Sequence, residues 1–213
     1  MRVLVAALTL ALAAGAARAE GEAAGDFDYY ILALSWSPTW CALEGDGRRA
    51  PECAEGADLG FVLHGLWPQY EEDGWPSYCR TGQRDPSRTM TEAMSDIMGS
   101  DGLAWYQWKK HGRCTGLSAR SYYALMRAAY ASVKMPKIFD MIDTRLKVPA
   151  EVIEGAFLEA NPGLARDQIT VTCDAGRIAE VRLCLDRDLS PRRCGSDVIR
   201  DCQMQDAVLD PLR

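Results

Sequence analysis

Apolar and polar positions change rhythm along this chain, and the changes divide it into elements. Tyr29 to Trp36 (YYILALSW) strings strand formers together without charge, which predicts a buried strand closed by the turn signal Ser37-Pro38. Ala42 to Leu59, with its glycines, proline and charges, reads as a surface loop. Phe61 to Trp67 is again apolar and extended until Pro68 stops it, so His64 lies on a strand or at its end, and a second loop runs from Gln69 to about Arg88. Three- and four-residue apolar intervals then predict helices over Thr89 to Met98, Leu103 to His111, Ser118 to Val133 and Glu151 to Ala160, with Ser118 and Pro149 as starts. Alternation returns in Gln168 to Cys173 and Arg177 to Leu185 around Asp174-Ala175-Gly176, a hairpin turn. Strands at both ends with helices between them predict an α+β fold.

The first residues fit none of these periods. Arg2, the apolar run Val3 to Ala17 and the small-x-small site Ala17-Arg18-Ala19 together predict a signal peptide over residues 1–19, leaving one domain over 20–213. The run is short for a membrane span, and no later stretch is long and apolar enough, so no membrane contact is expected after leader removal. Eight cysteines, namely Cys41, Cys53, Cys79, Cys114, Cys173, Cys184, Cys194 and Cys202, then point to an oxidising compartment and up to four disulfides. About 105 complete pairings are open to them from sequence. No CxxC occurs and neither histidine has a partner at ligand spacing, which argues against a thiol oxidoreductase and against a metal site.

Formal net charge is −6; the leader's two arginines, with no acid among residues 1–19, make it −8 for the rest. That excludes a protein holding nucleic acid by bulk positive charge, but an enzyme needs only a local positive cleft, here expected from Lys109, Lys110 and Arg113.

Two histidines occur in the whole chain. His64 sits in FVLHGLWP and His111 in WYQWKKHG. One imidazole in an apolar strand usually marks a packed residue, but two invite a mechanism in which one takes a proton and the other delivers one near neutral pH. Helical spacing puts Gln107, Lys110 and His111 on one face, an amide, a cation and an imidazole suited to a transferring phosphoryl group. Trp67, beside His64, and Trp75, in a polar loop, are the better base-stacking tryptophans; Trp105 and Trp108 suit a core.

The segments HGLWP (His64 to Pro68) and WKKHGRC (Trp108 to Cys114) resemble the two active-site signatures of the ribonuclease T2 family, and YYILALSWSPTWC and VRLCLDRDL extend the likeness over most of the chain beyond the leader. The resemblance implies an α+β fold with a central antiparallel sheet packed with helices. It implies that His111 takes the proton of the ribose 2′-hydroxyl, His64 protonates the leaving 5′-oxygen and Lys110 stabilises the transition state. The product would be a 2′,3′-cyclic phosphate, then a 3′-phosphate. Trp67 and, more loosely, Trp75 would stack on bases, and Gln69 would touch one. It further implies the pairs Cys41–Cys53, Cys79–Cys114, Cys173–Cys202 and Cys184–Cys194. The partner would be single-stranded RNA, cut without metal or cofactor and with resistance to EDTA, by a periplasmic or secreted monomer with no stable DNA binding.

Two positions depart from the family pattern: Tyr106 and Gln107 stand where the family usually has histidine and glutamate. Gln107 cannot ionise, though its amide can donate a hydrogen bond, and Tyr106 keeps a hydroxyl. They motivate a second expectation, an exported binding protein that keeps the fold but is catalytically silent. The two differ in geometry: an enzyme needs both imidazoles at one open cleft, whereas a silent protein tolerates a buried ring.

Overall fold

The computed structural model describes residues 22–213, and the expected leader lies outside them. Its frame is a six-stranded sheet of β1 (Tyr29–Trp36), β2 (Phe61–Gln69), β3 (Leu146–Val148), β4 (Ile169–Asp174), β5 (Arg177–Leu185) and β6 (Ala207–Leu209). The order is β2-β1-β5-β6-β3, with β4 also paired to β5. The ladders β1–β2, β1–β5, β4–β5 and β3–β6 are antiparallel. β5 and β6 meet in parallel where Arg177 faces Val208, so the sheet is mixed rather than purely antiparallel. β3 and β6 went unread because three residues are too few for alternation to show.

The first part of the segment expected as a turn and loop after β1 is helical instead: α1 (Ser37–Trp40) and α2 (Asp46–Arg48) flank a π-helical turn, Cys41–Gly45, while the rest up to β2 is loop apart from a short turn at Pro51–Cys53. Pro38 ends the strand but also lies in the first turn of α1, where its fixed φ and missing N–H suit a helix start. The stretch expected as one helix from Thr89 breaks into α3 (Arg88–Glu92) and α4 (Ser95–Met98), because Ala93 and Met94 have ψ near zero and bury Met94 in the core. α5 (Asp101–Lys110), α6 (Ala119–Ser132) and α7 (Ala150–Ala160) lie within a residue or two of their expected bounds. Ser100 and Ser118 cap α5 and α6 by accepting from the amides of Leu103 and Ser121, both at 3.2 Å.

β1 is buried on both faces. Tyr30, Leu32, Leu34 and Trp36 enter the main core, whereas Tyr29 and Ile31 join a smaller cluster with Cys184, Cys194 and Val198. The main core receives the stripe Ala119, Tyr122, Tyr123, Met126 and Ala129 of α6, and centres on Trp36, Phe61, Phe139 and Phe157 with rings 4.9 to 5.8 Å apart. Disulfides join Cys41 to Cys53, Cys79 to Cys114, Cys173 to Cys202 and Cys184 to Cys194. The second ties the loop after β2 to the chain just beyond α5.

One irregularity positions the chemistry. Along β2, Gly65 faces Ala33 and Leu63 faces Leu34, so His64 is the extra residue of a β-bulge. A bulge resets strand parity. Phe61, Leu63 and Leu66 therefore all reach the main core, while His64 and Trp67 emerge together on the other face.

Candidate active site

His64 and Trp67 project from β2 toward groups that β5 carries on the same face. The bulge at Ala179, where Thr172 faces Glu180 and Cys173 faces Ile178, keeps Val181 and Leu183 in the core and leaves Glu180 and Arg182 on the His64 side. His64 Nδ1 is bonded to Oε1 of Glu180, which also accepts from Ser35 Oγ at 3.3 Å. Arg182 donates to Oε2 of Glu180 from Nε at 2.9 Å and from Nη2 at 2.6 Å, and its guanidinium lies 5.3 Å over the Trp67 ring. Burial pushes the Glu180 carboxyl up, but the bonds and charges of His64 and Arg182 outweigh it and hold the group at about 2.

α5 supplies the facing wall. Its inward stripe is Ala104, Gln107 and Trp108, continued by His111 at the C-cap, so Gln107 and His111 do share a face as expected. Lys110 does not share it: it lies at the rim with Nζ 5.9 Å over the ring of Tyr106. Nor is the Gln107 carbonyl free for substrate, since its Oε1 accepts the indole N–H of Trp67 at 2.7 Å. Gly65 makes that contact possible, because a Cβ there would collide with Gln107 Oε1 and Trp67 Nε1. The Trp67 ring then stacks on His111, centroids 5.3 Å apart at 26°, and meets His64 edge-on at 5.2 Å. Both imidazoles thus touch one indole.

Their surroundings differ. His111 is 4% exposed, and its Nδ1 has no hydrogen-bond partner among the described residues. Burial, then the charges of Lys110 and His64, pull its pKa down to about 3, which leaves the ring neutral. His64 is part-exposed and opens into a cleft of about 720 Å³ shared with Ser35, Trp40, Val62, Leu103 and Tyr106; His111 does not line it, so the two imidazoles do not open to one cleft as an enzyme was expected to require.

That cleft is not the positive one expected from Lys109, Lys110 and Arg113: its other charged residues are Glu44, Arg48, Glu52 and Asp101. Arg113 instead pairs with Asp85 at 2.7 Å, beside Tyr78, Arg80 and Arg84 in a larger hollow of about 1070 Å³ that holds neither histidine. Gln69 is buried and donates to Asp197 at 3.3 Å rather than facing the cleft. Trp75 and Tyr106 are exposed. Among the described residues, no three His, Cys, Asp or Glu side chains are grouped to hold a metal ion.

The family model described as Ribonuclease T2 family matches residues 27–194. The chain belongs to the ribonuclease T2 family. Similar relatives include a ribonuclease of Aeromonas hydrophila, 43% identical over 128 residues that make up 59% of this chain and 56% of that protein. A probable ribonuclease of Haemophilus influenzae is 26% identical over 180 residues, 79% of this chain and 61% of the relative. The chain therefore spans little more than half the length of these relatives. In fold it is similar to trichomaglin, described as an S-like ribonuclease, with a TM-score of 0.65 at 22% identity over 87% of this chain and 97% of that one. It is also similar to RNase NT in complex with 5′-AMP, with a TM-score of 0.54 at 19% identity over 87% and 98%.

Ser35, Glu180 and Arg182, none of them expected from the sequence, complete this constellation around His64. A signal existed: Glu180 and Arg182 are charges two apart in a strand whose other partners Val181 and Leu183 are apolar, hence on one face together.

Proposed function

We propose that this chain is an exported, metal-independent endoribonuclease that cuts single-stranded RNA with His111 as base and His64 as acid. The observation that carries the reading is the meeting of two differently surrounded imidazoles against Trp67. A neutral His111 accepts the proton of a ribose 2′-hydroxyl as that oxygen bonds to phosphorus. The bond from phosphorus to the 5′-oxygen breaks, and His64 supplies that oxygen's proton. A 2′,3′-cyclic phosphate results; water adds across it by the reverse proton transfers, giving a 3′-phosphate. Lys110 at the rim offsets charge on the phosphorane, and Trp67 and Trp75 offer aromatic faces to bases. The nucleophile belongs to the substrate, so DNA, lacking the 2′-hydroxyl, is not cut and no metal is needed to make one. RNase NT holding 5′-AMP supports a nucleotide ligand for this fold, and four disulfides fit an oxidising compartment.

The test is cleavage of a short RNA by the oxidised protein in EDTA, beside His64→Ala and His111→Ala. Cyclic phosphate from the parent and none from either variant is the expected result. One observation favours a second reading, a binding protein that no longer cleaves: His111 is buried, and beside it stands Gln107 rather than an ionisable group. RNA bound but left intact from acidic to neutral pH would select it.

A further inference from the structure

We propose that Glu180 is the positioning residue of His64, holding the ring by Nδ1 so that Nε2 is the nitrogen that exchanges a proton with the leaving oxygen. The inference rests on the ribonuclease reading for its mechanistic meaning, but its physical core, the contact between Glu180 and His64, stands by itself.

Glu180 is buried on β5, and a lone carboxylate there would be costly. It is not alone. Oε1 takes His64 Nδ1 and Ser35 Oγ, and Oε2 takes two N–H groups of Arg182, so each oxygen has two partners. An ionised carboxylate only accepts, which makes Nδ1 of His64 the donor in their bond and fixes both the tautomer and the ring plane. Arg182 holds Glu180 from the far side while its guanidinium lies over Trp67, tying the acid's support to the indole that contacts both histidines. The bulges at His64 on β2 and Ala179 on β5 bring His64 and Glu180 to one face, so two irregularities of the sheet serve a single contact.

The isosteric variant E180Q separates positioning from packing. Arg182 requires an oxygen on its side, so the amide NH2 of the glutamine turns toward His64 and forces Nδ1 to accept, inverting the tautomer. The charged groups around His64 are otherwise unchanged: Arg182 on β5, Lys110 and His111 at the end of α5, and Glu44, Arg48, Glu52 and Asp101 in the cleft.

With two histidines in the chain, 15N imidazole spectra are assigned by one His64→Ala sample. The parent is expected to show neutral His64 with its proton on Nδ1, and E180Q with its proton on Nε2. In the cleavage of a short RNA, kcat of E180Q falls on the order of 10² to 10⁴-fold with KM little changed, and the alkaline limb of the kcat profile moves to lower pH. Parent-like spectra, kcat and pH profile in a folded E180Q overturn the proposal. Should E180Q not fold, the parent spectrum decides by itself: a proton on Nε2 of neutral His64 overturns it. Because the spectra need no turnover, a parent that cuts no RNA refutes the ribonuclease reading without touching this result.

Discussion

The indole N–H of Trp67 donates to Oε1 of Gln107 at 2.7 Å, and this bond between β2 and α5 sets the indole against His111. Gln107→Glu keeps the acceptor and places a negative charge near His111. A negative neighbour favours the imidazolium, so His111, the proposed base, must lose its proton at higher pH and the acid limb of kcat/KM moves upward. Gln107→Leu keeps the volume but leaves the indole N–H unpaired, at a cost of about 1 kcal/mol because Trp67 is only partly buried. A pH–rate profile and a melting curve for the two variants check these directions; an unmoved acid limb in Gln107→Glu would show that residue 107 does not act on His111.

Much of this was legible before folding because the features are local. The strands over 29–36 and 177–185 and the stripe of α6 carry their own periodicity, and two histidines in dense motifs stand out in a chain that has no others. What was missed depends on contacts made at long range. The carboxylate of Glu180 meets a ring 116 residues earlier in the chain, through two bulges that alternation cannot announce. The inward turn of Gln107 and the rim placement of Lys110 are likewise set by how α5 docks on β2. Helical spacing gave their relative angle but not which side faces protein.

Trp67→Ala should uncover His111. The indole supplies much of the apolar cover on one face of that ring, and burial is the largest cause of its low pKa. With water admitted, the His111 titration moves up from about 3 toward its ordinary 6.5, readable in the same two-histidine spectra. Trp67→Phe, which keeps an aromatic face but loses the bond to Gln107, should move it less. Equal titrations in all three proteins would place the desolvation elsewhere in the wall.

Removing the bridge between Cys79 and Cys114 tests how the end of α5 is held. The bridge closes a loop with a sequence separation of 35, for which chain entropy gives about 3 to 4 kcal/mol. The backbone bond from Tyr78 N to Lys110 O, 2.9 Å long, ties the same two segments. A Cys79→Ala, Cys114→Ala double variant should lose roughly that stability in urea. It should also lose activity at denaturant concentrations where far-ultraviolet dichroism is still native. A Cys41→Ala, Cys53→Ala variant, whose bridge pins the helical segment after β1, should lose stability and activity together.

Acid should weaken the fold in two steps that the buried site itself sets. His111 is held at about 3 against an ordinary 6.5, so between those values the unfolded chain binds a proton that the native ring refuses. Stability therefore falls as pH drops below 6.5, by at most about 1.4 kcal/mol per pH unit, and stops falling on this account near 3. Glu180, held at about 2 against an ordinary 4.5, has the same sign in a lower window: its contribution is whole above 4.5 and is lost as pH falls through 2. His111→Gln removes the first slope and leaves the second, whereas E180Q removes the second and leaves the first. Urea midpoints from pH 7 to 4 should consequently decline less in His111→Gln than in the parent, with the difference accumulating from 6.5 down to the end of that range. Parallel declines over that range would mean that His111 takes up its proton in the native state and that its ring is open to water.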